Sequence, residues 1–169
     1  MSETTKLINA GTTENSGSEI EIKFTSTEAY AIIVAARTLY GEARGAGAEG
    51  MIAVANVIKN RVRTPGWWGR DLISVCRTPD QFSCWLPGPD YDAMMKADML
   101  DLSFCAALAI AAQLQASLTR QSNFEKLDDL VGDAVFYHAS DMNPPPLWAA
   151  KMIFVREIGG QKFYALPHW

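Results

Sequence analysis

The sequence predicts an α+β domain, mainly helical, with a small antiparallel sheet near its C-terminal end. Apolar residues recur at helical spacing over much of the stretch from residue 25 to 121. After residue 133 the chain turns to runs rich in β-branched and aromatic residues, with Gly159-Gly160 between two of them as a hairpin turn. The 169 residues, 49% apolar and 20% charged, suit one domain with a substantial core.

Residues 1–23, rich in Ser, Thr, Asn, Gly and Glu, read as a flexible leader ahead of a single domain over 24–169. Thr25 and Glu28 fit a capping box, and Ala29, Ile32, Ile33, Ala36 and Tyr40 continue the helix it starts. The run "GEARGAGAEG" breaks that helix with four glycines. A second helix carries Met51, Val54, Ala55, Ile58 and Val62 on one face, Asn56 and Asn60 on another, and stops before Pro65. Residues 63–92 hold four prolines, three glycines and three tryptophans, and read as an ordered functional connection with short helical turns. One or two Ala-, Leu- and Met-rich helices follow over about 93–121, then a polar connection, then the strand-like runs "AVFYHAS" and "KMIFVREIGGQKFYAL".

Composition narrows the function. A formal net charge of −4 without a basic run argues against nucleic acid and against tight adhesion to an anionic membrane. Three cysteines, Cys76, Cys84 and Cys105, lack metal-ligand spacing and are expected as free thiols. The N-terminal stretch does not read as a secretory signal, and no apolar run is expected to span a membrane. Synthesis in the cytoplasm is expected, with release by another route. A zinc centre would need convergent ligands, and His138 and His168 are the only histidines. No metal, cofactor or nucleotide is expected, the last because no glycine-rich phosphate loop occurs.

Glu42 is the residue that stands out. It sits where the first helix meets the glycines, in phase with the edge of the apolar stripe. A carboxylate there is an ion-pair partner for Arg37, Arg44 or Arg61, a solvated helix end, or a partly desolvated general acid. The connection after the second helix crowds Trp67, Trp68, Phe82 and Trp85 beside Asp80, Gln81 and Ser83. Such a set either stacks on sugar rings while its polar groups take the hydroxyls, or pins the connection to the core.

The segments "RTLYGEARGAGAEGMIAVANVIKNRV", "QFSCW", "GDAVFYHA" and "PLW…IGGQKFY" occur in order and together resemble the SleB/CwlJ-type cell-wall hydrolases. The resemblance covers about residues 28–166. It implies a lysozyme-like, lytic-transglycosylase-like catalytic domain that cuts peptidoglycan glycan strands, with Glu42 as the catalytic acid and Gln81, Phe82, Ser83 and Trp85 along the groove. Trp67 and Trp68 are the further candidates for sugar contacts. Gln161 departs from the family, standing where members often carry His, and no wall-binding module is expected.

Breaking a β-1,4 glycosidic bond takes a proton for the leaving oxygen and stabilisation of oxocarbenium-like charge. Asp71, Asp80, Asp90 and Asp92 lie in or near the aromatic connection, each readable as a turn or cap residue. Without an evident second carboxylate, the expectation is a one-glutamate reaction assisted by the substrate's own acetamido and 6-hydroxyl groups. Tyr137 is a candidate for steadying the charged intermediate, or a packed strand residue. The alternatives kept open are a hydrolytic muramidase using the same glutamate, a non-catalytic glycan-binding or virion module, and a Cys84–His138 peptidase. The partner expected is the glycan strand of peptidoglycan, met by a monomer such as a phage endolysin.

Overall fold

The computed structural model describes residues 24–119 and 126–167. The proposed leader, part of the polar connection and His168 lie outside them. Five helices come first: α1 (Ser26–Ala43), α2 (Gly47–Arg63), α3 (Leu72–Arg77), α4 (Pro89–Lys96) and α5 (Leu102–Thr119). Three strands follow: β1 (Ala134–Ala139), β2 (Ile153–Ile158) and β3 (Gln161–Ala165), in the antiparallel order β1-β3-β2.

Local chemistry sets the ends of α1. The Thr25 hydroxyl accepts from the Glu28 amide at 3.2 Å, and the Glu28 carboxylate accepts from the Thr25 amide at 2.8 Å, a complete capping box. A turn of 3₁₀ helix at Arg44–Ala46 separates α1 from α2. Helix α2 ends at Arg63, two residues before Pro65. The 63–92 connection is largely short helices: α3, a 3₁₀ turn at Ser83–Trp85 and the start of α4.

Helix α1 is the centre of the domain. Ala35, Ala36 and Leu39 are fully buried, with α2, α3, α4 and α5 all packed against it. Helix α5 corrects one expectation, because by length and hydropathy it could cross a membrane. Here Phe104, Ala107, Ile110, Ala111 and Leu114 recur at helical spacing and face the core, with α5 packed on α1 and α2.

The sheet is tied to α2 by side chains that reach backbone. Asn56 donates to the Asp128 carbonyl at 2.9 Å and accepts from the Leu130 amide at 2.7 Å. Asn60 donates to the carbonyls of Gly132 and Ala134, at 2.6 and 2.9 Å. Gly159 and Gly160, with φ of 57° and 75°, turn β2 into β3. A Cβ at Gly159 would stand 2.6 Å from that of Ala46, so glycine lets the hairpin close against the 3₁₀ turn at the start of α2.

Candidate active site

Glu42 is the penultimate residue of α1 and is half-buried. Two segments distant in sequence supply three donors to its carboxylate. The Cys84 amide donates to Oε1 at 2.8 Å, the Ser83 hydroxyl to the same oxygen at 3.2 Å, and the Tyr137 hydroxyl to Oε2 at 2.8 Å. The Gln161 side-chain amide reaches the Glu42 backbone carbonyl at 3.4 Å. Gly41 makes the first of these contacts fit. A Cβ there would lie 2.4 Å from that of Cys84, so only glycine lets the Ser83–Trp85 turn press this closely on α1.

The donors are not equivalent. The Cys84 amide can only donate, whereas the Ser83 and Tyr137 hydroxyls can donate or accept. Oε1 therefore faces an obligate donor, and Oε2 is the oxygen that can carry a proton, with Tyr137 turning to accept it. The Tyr137 ring leans on Phe163, with centroids 5.6 Å apart. Burial first, and then the nearby Glu42 charge, push its hydroxyl well above the usual phenol range, so it stays protonated.

None of the three expected ion-pair partners takes Glu42. Arg44 pairs with Asp90 at 2.6 Å, Arg37 donates to the Met94 carbonyl, and Arg61 donates to the Val135 carbonyl at 2.8 Å. The carboxylate instead opens on a groove of about 500 Å³. Its lining includes Asp80, Gln81, Ser83 and Leu86 from the 63–92 connection, and Tyr137, His138, Met142, Trp148 and Gln161 from the C-terminal part of the chain.

The aromatic candidates divide differently from the expectation. Trp68 is buried, its indole donating to the Arg61 and Thr64 carbonyls at 3.0 and 3.1 Å. Phe82 is buried beneath the Arg61 guanidinium. Trp85 is half-buried, donates to the Thr38 hydroxyl at 3.0 Å and lies 4.1 Å from the Arg77 guanidinium. Trp67 is 64% exposed and rests on Trp68, outside the groove lining. The connection is pinned to the core by its own aromatics, because indole N–H groups find backbone and hydroxyl acceptors there. Trp148, which the sequence reading passed over, is the tryptophan that lines the groove, edge-on to His138 and Tyr164.

The competing nucleophile is not poised. Cys84 is buried, burial pushes its thiol far up, and its sulfur lies 3.9 Å from the Thr38 carbonyl. His138 Nδ1 lies 2.8 Å from the Ala139 carbonyl and Nε2 lies 3.0 Å from the Tyr164 hydroxyl, so both ring nitrogens are engaged away from Cys84. Among the described residues no three His, Cys, Asp or Glu side chains converge as metal ligands. Of the four aspartates considered, Asp71 caps α3, Asp90 holds Arg44, and Asp92 lies on α4. Asp80 alone of them lines the groove, with a left-handed φ of 61°.

A family model described as Cell Wall Hydrolase matches residues 45–164. The chain belongs to the cell wall hydrolase family. Membership makes it a peptidoglycan-degrading enzyme, the class that the ordered segments resemble. Two solved structures share the fold of this cell wall hydrolase. One is the catalytic domain of the germination-specific lytic transglycosylase SleB from Bacillus anthracis, at 22% identity and a TM-score of 0.56, covering 86% of this chain and 99% of that one. The other is the catalytic domain of the Bacillus cereus SleB protein, at 23% identity and a TM-score of 0.56, covering 89% and 99%. No curated protein sequence matches the chain. The family match begins just past Glu42, so the case for that residue rests on its geometry.

Proposed function

We propose that this cell wall hydrolase is a lytic transglycosylase that cleaves the β-1,4 bond between N-acetylmuramic acid and N-acetylglucosamine, with Glu42 as its one acid–base residue. The observation that carries the reading is the Glu42 carboxylate, held by three donors from two distant segments and facing a groove. Such convergence fixes a carboxyl group to within the tolerance that proton transfer demands. The SleB domain from Bacillus anthracis, similar in fold, is described as a lytic transglycosylase, which agrees with the proposal.

In this reaction protonated Glu42 gives its proton to the glycosidic oxygen. The bond between that oxygen and the anomeric carbon breaks, and its electron pair leaves with the oxygen. The substrate's acetamido group stabilises the electron-poor carbon. The muramoyl 6-hydroxyl then attacks that carbon, and its proton returns to the Glu42 carboxylate. Atoms and charge balance without water, and the ring closes as a 1,6-anhydro sugar. The Tyr137 hydroxyl, the Ser83 hydroxyl and the Cys84 amide hold the carboxylate between the two transfers.

A hydrolytic muramidase is the second reading, and one observation favours it. Asp80 brings another carboxylate to the same groove in a strained backbone conformation of the kind that collects at functional sites.

Glu42→Gln tests the role of Glu42. The variant keeps the fold and the oxygen facing Cys84, yet cannot deliver a proton. Lysis of purified walls should fall by roughly 10²–10⁴-fold. Lysis near the wild-type rate would end the reading.

A further inference from the structure

Among the described residues three buried side-chain polar atoms have no hydrogen-bond partner: Arg61 Nη1, Ser140 Oγ and Gln161 Oε1. Native proteins rarely leave such atoms unpaired, and exceptions point to strain or function. Two of them, Arg61 and Gln161, line the groove.

Arg61 is the costliest of them, because it carries a charge. Its side chain is 3% exposed, on the same face of α2 as Val54 and Ile58. The guanidinium carbon lies 5.3, 5.7 and 5.9 Å from the ring centroids of Phe82, Trp68 and Phe136. Nε donates to the Val135 carbonyl, and no carboxylate of the described residues forms an ion pair with it. A neutral side chain of similar length would fill that aromatic cage without the desolvation of a cation. A buried charge kept under those conditions has a use elsewhere.

Glu42 on α1 and Tyr137 on β1 line the same groove as Arg61, within reach of its charge. Of these, only Glu42 gains and loses charge in the reaction proposed above. With only 3% of Arg61 exposed, its main effect on the site is through its field.

We propose that Arg61 is an electrostatic positioning residue whose fixed positive charge stabilises the carboxylate left on Glu42 once its proton has gone to the glycosidic oxygen. The benefit falls on bond cleavage, since returning the 6-hydroxyl proton neutralises the carboxylate again. The inference rests on the proposed role of Glu42.

Steady-state kinetics on soluble peptidoglycan strands, with folding checked by circular dichroism, separate the two. Arg61→Gln and Arg61→Met should fold and keep KM within about twofold, while kcat falls roughly 10–100-fold. Arg61→Lys keeps the charge without the fork geometry at Val135, and should recover most of the loss. Neutral variants with wild-type kcat, or with raised KM alone, would overturn the proposal. If the neutral variants do not fold, Arg61→Lys decides: near-wild-type kcat supports the charge, and low kcat or misfolding overturns it. Glu42→Gln assayed in parallel tells the failures apart. An active Glu42→Gln removes both ideas, whereas an inactive one beside a fully active Arg61→Gln removes only the role of Arg61.

Discussion

The Tyr137 hydroxyl donates to Glu42 Oε2 at 2.8 Å across 95 residues of sequence, joining β1, an edge strand of the sheet, to the last turn of α1. This contact couples the sheet to the helical core at the point where the proton must be handled. Tyr137→Phe removes the hydroxyl and keeps the ring against Phe163. The variant should lose roughly 10–100-fold in kcat, as expected for a hydrogen bond to an ionised group. Its melting temperature should move by no more than about 3 °C. Burial and the Glu42 charge both disfavour the phenolate, so Tyr137 remains neutral as pH rises. Variant and wild type should therefore share the shape of their pH–rate profiles below about pH 10. An alkaline limb lost with the hydroxyl would mean that Tyr137 itself titrates in that range.

Gly41 supports the other side of the carboxylate. Gly41→Ala places a methyl group 2.4 Å from Cys84 Cβ, so α1 and the Ser83–Trp85 turn must separate. Overpacking of this kind costs about 1–3 kcal/mol, or roughly 2–12 °C in melting temperature. The Cys84 amide should also lose Oε1, so activity should fall more than stability explains. A thermal melt that matches wild type would show that the turn can sit farther from α1.

The thiols should be idle. Burial pushes Cys76 up to about 12 and Cys84 higher still, while Cys105 is partly exposed on α5. Iodoacetamide near neutral pH should label Cys105 first and leave most of the lytic activity. Stoichiometric labelling of Cys84 with complete inactivation would return the Cys84–His138 reading to consideration.

What could be seen in the sequence was local. The Thr25–Glu28 capping box and the Gly159-Gly160 turn work over three or four residues, so their chemistry is legible in a short window. Glu42 was legible as a misfit, an acid set between an apolar helix and glycines. Its strongest fixed donor was not, because the Cys84 amide is backbone and carries no side-chain signature. The aromatics of residues 67–85 were misplaced for a related reason: composition shows that a segment is aromatic and not which way each ring faces. Trp68 and Phe82 turned inward to bracket Arg61, and Trp148, isolated among prolines, took the groove. Arg61 did carry a signal, since its spacing of three and seven residues from Ile58 and Val54 puts it on the buried face of α2.

The chemical end left on the glycan tests the central claim most directly. Purified walls digested with the wild-type protein can be separated and their fragments identified by mass spectrometry. A proton cycle through Glu42 alone, closed by the 6-hydroxyl, predicts fragments ending in 1,6-anhydro-N-acetylmuramic acid, lighter by one water than reducing ends. It also predicts that Asp80→Asn keeps the same products at a rate within a few-fold of wild type. A digest dominated by reducing N-acetylmuramic acid, and abolished by Asp80→Asn, would contradict the account and make Asp80 the second carboxylate of a muramidase.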